Sequence, residues 1–224
     1  MKLAVLFSGG KDSMLAAWLA KKEGYELSCL VSMASKNKES FMFHTPSINK
    51  VKSQAKVMNL PLILQETAGV KEEELADLEK ALLEAKKKYG IEGVVTGAVE
   101  SVYQSSRVQK ICNKLELECF NPLWQKGQVE ILQDLIREGF DVVVVGVFAY
   151  PLNESFLGRK IDKKFILEML DLYGRFKISP AGEGGEFESF VLNCPLFERG
   201  LVVSKFEDFG EGNSWRRELE VSDE

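Results

Sequence analysis

Apolar residues along this chain come in short runs of strand length that alternate with stretches of helical spacing. Leu3 to Phe7 is one such run. Ser13 to Lys22 follows it with Met14, Leu15, Trp18 and Leu19 on one helical face. Leu27 to Met33 predicts a second strand, Ser47 to Met58 a helix, and Leu62 to Leu64 a third strand. Glu72 to Tyr89 is spaced as a long charged helix, Gly93 to Gly97 as a fourth strand, and Ser101 to Leu115 as another helix. Strands alternating with helices imply a parallel sheet covered on both faces. The expected fold is therefore α/β, a Rossmann-like parallel sheet with a smaller C-terminal α/β domain.

The second part is less regular. Gly127 to Glu138 and Asp162 to Tyr173 read as helices, and Asp141 to Phe148 as a strongly apolar strand. Gly182 to Val221 reads as short strands and turns. A soft boundary near Pro122 divides the chain into residues 1–121, a nucleotide-binding domain, and 122–224, a smaller domain expected to complete the substrate site. Ligands in parallel α/β sheets sit beyond the carboxyl ends of the strands. Attention therefore falls on residues 8–12, 34–46 and 98–104.

Composition narrows the function classes. The 224 residues are 45% hydrophobic and 28% charged, an ordinary globular balance, with only the polar end from Glu218 to Glu224 open to disorder. The formal net charge of -5 opposes binding of nucleic acid across a broad basic surface, which depends on Lys and Arg neutralising phosphates. No segment reaches membrane-spanning length, and the run after Met1 is too short for a secretory signal. A cytoplasmic protein is expected. The four cysteines include no C-x-x-C pair, and one histidine leaves little room for zinc. Cys29 and Cys112 fall on packing positions.

The sharpest local feature is Ser8-Gly9-Gly10-Lys11-Asp12-Ser13, between the first strand and the first helix. Two glycines allow a tight turn and close approach to an anion. Peptide N–H groups at the helix start point at the same spot, where the helix dipole favours negative charge. Ser8 and Ser13 add hydroxyl donors, and Lys11 adds a positive charge. Asp12 would repel phosphate, so it either caps the helix or holds a metal ion that bridges phosphate oxygens. The spacing is neither G-x-x-x-x-G-K-[ST] nor G-x-G-x-x-G. The bland alternative is a tight strand-to-helix turn with a Ser/Asp cap.

This hexapeptide resembles the PP-loop of the ATP pyrophosphatases, the adenine nucleotide alpha hydrolase-like superfamily. Its members include asparagine, GMP and NAD synthetases and tRNA-modifying enzymes. Ser32-Met33-Ala34-Ser35 with Ser40 to Pro46, Gly97 to Gln104 with Arg107, Asn121 to Trp124, and Gly182 to Val191 with Asn193 to Phe197 resemble the diphthine–ammonia ligase family. The likeness spans nearly the whole chain and is closest to a minimal archaeal-type form. Glu188-Ser189 departs from it, standing where other members often carry His-Thr. The resemblance implies ATP and Mg2+, ammonium as nitrogen source, and translation elongation factor 2 as the protein substrate. The carboxyl of its diphthine would be amidated through an acyl-adenylate, releasing AMP and pyrophosphate. An RNA-modifying PP-loop enzyme and a non-catalytic nucleotide-binding module are the competing readings. A homodimer is the base-rate expectation for assembly.

Individual residues divide accordingly. Ser8 to Ser13, Ser32, Met33, His44 and Gly97 are expected to bind ATP, with Asp12 at the metal. Lys11, Asp12, Glu183 and Glu186 are the catalytic candidates. Tyr103, Gln104, Arg107, Glu183, Glu186 and Glu188 are the substrate-binding candidates. His44 equally suits a helix-start position before Thr45-Pro46-Ser47. Arg107 suits bidentate binding of phosphate or carboxylate, with a surface ion pair as the alternative. Glu183 and Glu186 could orient ammonia or hold magnesium, or be solvated acids flanking a Gly-Gly turn. Lys71 to Lys88 is a solvated helix face with i,i+4 pairs.

Overall fold

The computed structural model describes residues 1–35, 48–68 and 73–223. His44 lies outside the described residues. The chain divides after Trp124 into two compact units, Met1–Trp124 and Gln125–Glu224.

In the first unit β1 (Lys2–Leu6), β2 (Glu26–Ser35), β3 (Leu62–Thr67), β4 (Gly93–Val95) and β5 (Glu118–Phe120) form a parallel sheet in the order β3-β2-β1-β4-β5. Helices α1 (Lys11–Lys22), α2 (Ile48–Val57), α3 (Glu73–Tyr89) and α4 (Val102–Lys114) make the crossovers. This is the Rossmann-like parallel sheet read from the alternating pattern. One strand was missed: β5 has only three residues and opens on Glu118. It earns its place by pairing with β4 through Val94↔Cys119 and Val95↔Phe120.

Period-2 alternation decides which face each strand residue serves. Ala4, Cys29, Val31, Met33, Ile63 and Val94 join one core cluster with Leu78, Ala81, Leu82 and Ala85 of α3 and Val108, Ile111 and Cys112 of α4. The α3 residues recur at helical spacing, so one stripe is buried while Lys86, Lys87 and Lys88 crowd its last turn, where cations suit the helix dipole. Leu3 and Val5, both fully buried, alternate with Ala4 and belong to the opposite face. On α1, three alanines among the buried residues (Ala16, Ala17, Ala20) present little bulk to the sheet. The strand order reverses at β1, between β2 and β4, and the crevice this opens lies beyond their carboxyl ends.

The second unit contains α5 (Gln128–Arg137), β6 (Asp141–Val147), a 3-10 turn (Glu154–Phe156), α6 (Lys163–Phe176), β7 (Phe187–Asn193), β8 (Leu201–Glu211) and β9 (Ser214–Asp223). Its sheet runs β7-β6-β9-β8, with antiparallel pairings throughout. Of the short strands expected after Gly182, β7 is one of 7 residues, but the two that follow are long. β8 and β9 have 11 and 10 residues and turn over Gly212-Asn213. Charged residues are interspersed along both, exposed on β8 and half-buried at Arg216, Arg217 and Asp223 of β9, and they break up any long apolar run that would announce a strand. The polar end expected to be loose is the second half of β9, paired with β8 as far as Leu201↔Asp223. α6 is capped by Asp162, whose Oδ1 accepts the Phe165 N–H at 2.8 Å. No helix among the described residues is long and apolar enough to cross a membrane.

Candidate functional site

The loop leaving β1 is drawn together by its own hydroxyls. Ser8 Oγ and Ser13 Oγ lie 3.1 Å apart, and the Ser8 N–H donates to Ser13 Oγ at 3.3 Å. The Ser13 hydroxyl donates to Gly10 O at 3.2 Å, and the Gly10 N–H approaches Ser8 Oγ at 3.4 Å. Gly9 has φ +80°, a conformation that L side chains rarely adopt. Gly10 is the N-cap of α1 and offers no side-chain cap. The first N–H groups of α1 are left without an intrahelical acceptor, which makes the helix start an electropositive concavity.

Asp12 does not cap this helix, as one sequence reading had it. It stands inside the first turn, and its Oδ2 accepts from Lys11 Nζ at 2.7 Å. A cap must precede the helix with extended backbone, and Gly10 holds that position with ψ 172°. The Lys11 side chain is 5% exposed and that of Asp12 is 29% exposed. Asp12 Oδ1 is buried and has no hydrogen-bond partner among the described residues. That atom suits a cation. Magnesium typically needs only one or two protein carboxylates when phosphate oxygens supply further ligands. No cluster of three His, Cys, Asp or Glu residues occurs among the described residues.

Two neighbours hold the loop in place: Gln54, which the sequence did not single out, and Gly97, which it did. Gln54 of α2, fully buried, donates Nε2 to Gly9 O at 3.0 Å. Gly97, just past β4, lies against the loop backbone: a Cβ there would stand 2.6 Å from Asp12 C and Ser13 N. Gly97 was expected to bind nucleotide; its observed neighbour is the cradle itself. Thr96 beside it donates its hydroxyl to Asn121 Oδ1 and accepts the Ala98 N–H at 3.2 Å, tying the β4 exit to the end of β5. The signal for Thr96 and Asn121 was available: Thr96 lies in the fourth strand of the sequence pattern, and Asn121 opens the Asn121 to Trp124 stretch. Gln54 carried none.

Ser32, in the carboxyl half of β2, is 1% exposed and has an Oγ with no hydrogen-bond partner among the described residues. Met33 faces the other way, and its side chain packs in the core cluster with α3. Ser101 caps α4 by accepting the Gln104 N–H at 3.3 Å. One turn along, the Arg107 guanidinium stacks on the Tyr103 ring at 3.5 Å. This fixes the plane of a fork suited to carboxylate or phosphate.

In the second unit the Gly-rich segment is a built loop. Glu186 accepts the Ser179 N–H on Oε1 at 2.9 Å and the Gly184 N–H on Oε2 at 2.8 Å. Gln128, the first residue of α5, accepts the Ala181 N–H at 3.1 Å and donates to Ser179 Oγ at 3.3 Å. Gly182 and Gly185 have φ +78° and +81°. Each Glu186 oxygen thus accepts from the loop's backbone, which gives this carboxylate a part in holding the loop. Glu183 is half-buried in the same loop. Glu188 lies on β7 opposite Gly146, and its Oε1 is 3.9 Å from Arg216 Nη2.

Ser8 to Ser13, Gln54 and Gly97 thus converge in the first unit, and Glu183 and Glu186 share a loop in the second. The first unit defines a Rossmann-like α/β protein with a Ser- and Gly-rich strand-to-helix loop at its switch point. Family profiles match both units: "Diphthamide synthase N-terminal domain" over residues 1–119 and "Diphthamide synthase C-terminal domain" over residues 128–218. The diphthine–ammonia ligases of Bos taurus and Rattus norvegicus are 31% and 32% identical to it, covering 92% of this chain and 84% of theirs. That of Schizosaccharomyces pombe is 30% identical over 92% of this chain and 37% of its own length. A solved structure titled as a predicted subunit of tRNA methyltransferase from Methanocaldococcus jannaschii overlays with a TM-score of 0.45 at 18% identity. It covers 87% of this chain and 98% of that one, and is too distant to bear on function. The chain belongs to the diphthamide synthase family, a family of ligases.

Proposed function

We propose that this chain amidates the carboxyl group of diphthine on elongation factor 2, using ATP and ammonium, and releases diphthamide, AMP and pyrophosphate. The observation that carries the chemistry is the open start of α1, where uncapped N–H groups, the Ser8 and Ser13 hydroxyls and buried Lys11 converge. The substrate rests on kinship with diphthine–ammonia ligases over 92% of the chain.

ATP lies with its β- and γ-phosphates in the Ser8–Ser13 cradle. A carboxylate oxygen of the substrate bonds to the α-phosphorus, and the bond from that phosphorus to the bridging oxygen breaks. The leaving diphosphate carries the developing charge, so donors fixed in place before reaction lower the barrier most. Lys11 and the α1 N–H groups are such donors. Magnesium held by Asp12 would neutralise phosphate charge. Ammonium loses a proton to solvent, the ammonia nitrogen bonds to the acyl carbon, the bond from that carbon to the AMP oxygen breaks, and the nitrogen sheds its surplus proton to solvent as the amide forms. Tyr103 and Arg107 orient the substrate carboxylate, and Glu183 is the candidate for holding ammonium. Glu186 shapes the loop that carries Glu183.

The test incubates the full chain with ATP, ammonium and unamidated elongation factor 2. AMP, pyrophosphate and a mass change of amide size are the expected products. Lys11→Ala should lower the rate by about 10²-fold or more, the scale for losing one donor to developing charge. Unchanged AMP formation by that variant sinks the cradle, and AMP formed with tRNA as sole acceptor sinks the substrate.

A further inference from the structure

We infer that Gln54 is a positioning residue that latches the Gly9–Gly10 peptide so that an N–H, not a carbonyl oxygen, serves the cradle. The inference rests on the reading of Ser8–Ser13 as the diphosphate site. Gln54 is fully buried, and its Nε2 donates to Gly9 O at 3.0 Å across 45 residues of sequence. Buried side-chain amides are costly unless their hydrogen bonds are made, so one aimed at a loop carbonyl fixes that carbonyl. In a trans peptide the C=O and the following N–H point to opposite edges of one plane. Holding Gly9 O towards α2 therefore turns the Gly10 N–H the other way, where it meets Ser8 Oγ at 3.4 Å.

The latch is needed because Gly9 does not hold itself. Its φ of +80° lies where glycine moves freely between conformations, so the backbone alone leaves this peptide able to invert. Inversion would place a carbonyl dipole, negative end inward, beside phosphate oxygens. Gly9 and Gln54 are also matched in shape, since a Cβ at position 9 would run into Gln54 Oε1. The glycine admits the amide, and the amide restrains the glycine.

Inorganic pyrophosphate is the probe, titrated calorimetrically into the full-length wild type, Gln54→Met and Gln54→Glu. Methionine keeps the length and loses the donor. An ionised glutamate only accepts, whereas a protonated one can donate to Gly9 O. Burial raises its pKa, so protonation should fall within a workable range. Near pH 8 both variants should bind about tenfold more weakly than wild type, a difference of about 1.4 kcal/mol. On going to about pH 5 the Glu variant should recover relative to wild type at the same pH, while the Met variant should not. A merely space-filling role would give no such divergence. Wild-type affinity in Gln54→Met, or a Glu variant that stays weak at every pH, overturns the inference. A wild type that binds no pyrophosphate sinks the cradle as well, which separates the two failures.

Discussion

Replacing Gly97 by alanine adds one methyl group where two backbones already touch. That Cβ would stand 2.6 Å from Asp12 C, 2.6 Å from Ser13 N and 2.9 Å from Asp12 O. Ordinary non-bonded contact is about 3.5 Å, so the β4 exit and the cradle must part by about 0.9 Å. The opposing atoms are backbone in the first turn of a helix and cannot rotate aside. Overpacking of this kind costs about 1–3 kcal/mol of stability. The rate should suffer more, because misplacing oriented groups by about 1 Å costs on the order of 10²-fold, equivalent to about 2.7 kcal/mol. Gly174→Ala is the control. It sits within α6 with nothing inside 4 Å of its Cβ, and should gain about 0.5–1 kcal/mol from helix propensity. Urea denaturation and AMP release with ammonium and unamidated elongation factor 2 measure both effects. A Gly97→Ala chain that keeps the wild-type midpoint and rate would refute the claim that the cradle leans on β4.

Three further outcomes can be checked. The Cys112 thiol and the Asn121 amide both hydrogen-bond to Cys119 Sγ and lower its pKa, while burial pushes Cys29 and Cys194 up to about 12. Iodoacetamide at neutral pH should therefore alkylate Cys119 first, and peptide mapping that found Cys29 or Cys194 modified earlier would contradict this. Arg159, donating to Glu168 Oε2 at 2.6 Å, holds the Glu168 carboxyl below its ordinary range. A depressed carboxyl stabilises the fold above its unfolded pKa, and that stabilisation is lost as pH falls through the folded value. Melting temperatures of Glu168→Gln should thus fall less steeply than wild type below about pH 4.5, and parallel acid limbs would remove the pair from the account. Glu186→Ala leaves the Ser179 and Gly184 N–H groups without their acceptor and should cost about 1–3 kcal/mol in urea. Glu186→Gln should recover only part, because its amide nitrogen cannot accept, and full stability in the alanine variant would show the loop closes by other means.

What could be read ahead of the structure was what is local. Ser8 to Ser13 are contiguous, so the order strand, turn, helix already implies where their donors point. α3 likewise declares itself through Leu78, Ala81, Leu82 and Ala85 at helical spacing. The devices that hold the cradle are not local. Gln54 reaches Gly9 from another helix, and Thr96 meets Asn121 across two strands. A lone Gln among Lys and Ser residues looks like any solvated helix position, and only the packing of α2 shows it buried. Gly97 is the intermediate case. Its type and place after β4 mark it as a candidate ligand contact, and the distance to Asp12 and Ser13 adds a contact of backbone with backbone that the sequence does not show. β8 and β9 were hidden for another reason: buried side chains are few on either, Leu201 and Leu219 being the buried positions, so neither strand needs a long apolar run. The residues that would meet phosphate could therefore be recognised from their types, while those that aim them could be found only through their neighbours. Substitution at Gln54 or Gly97 tests that division directly, since neither residue supplies a charged group to the reaction.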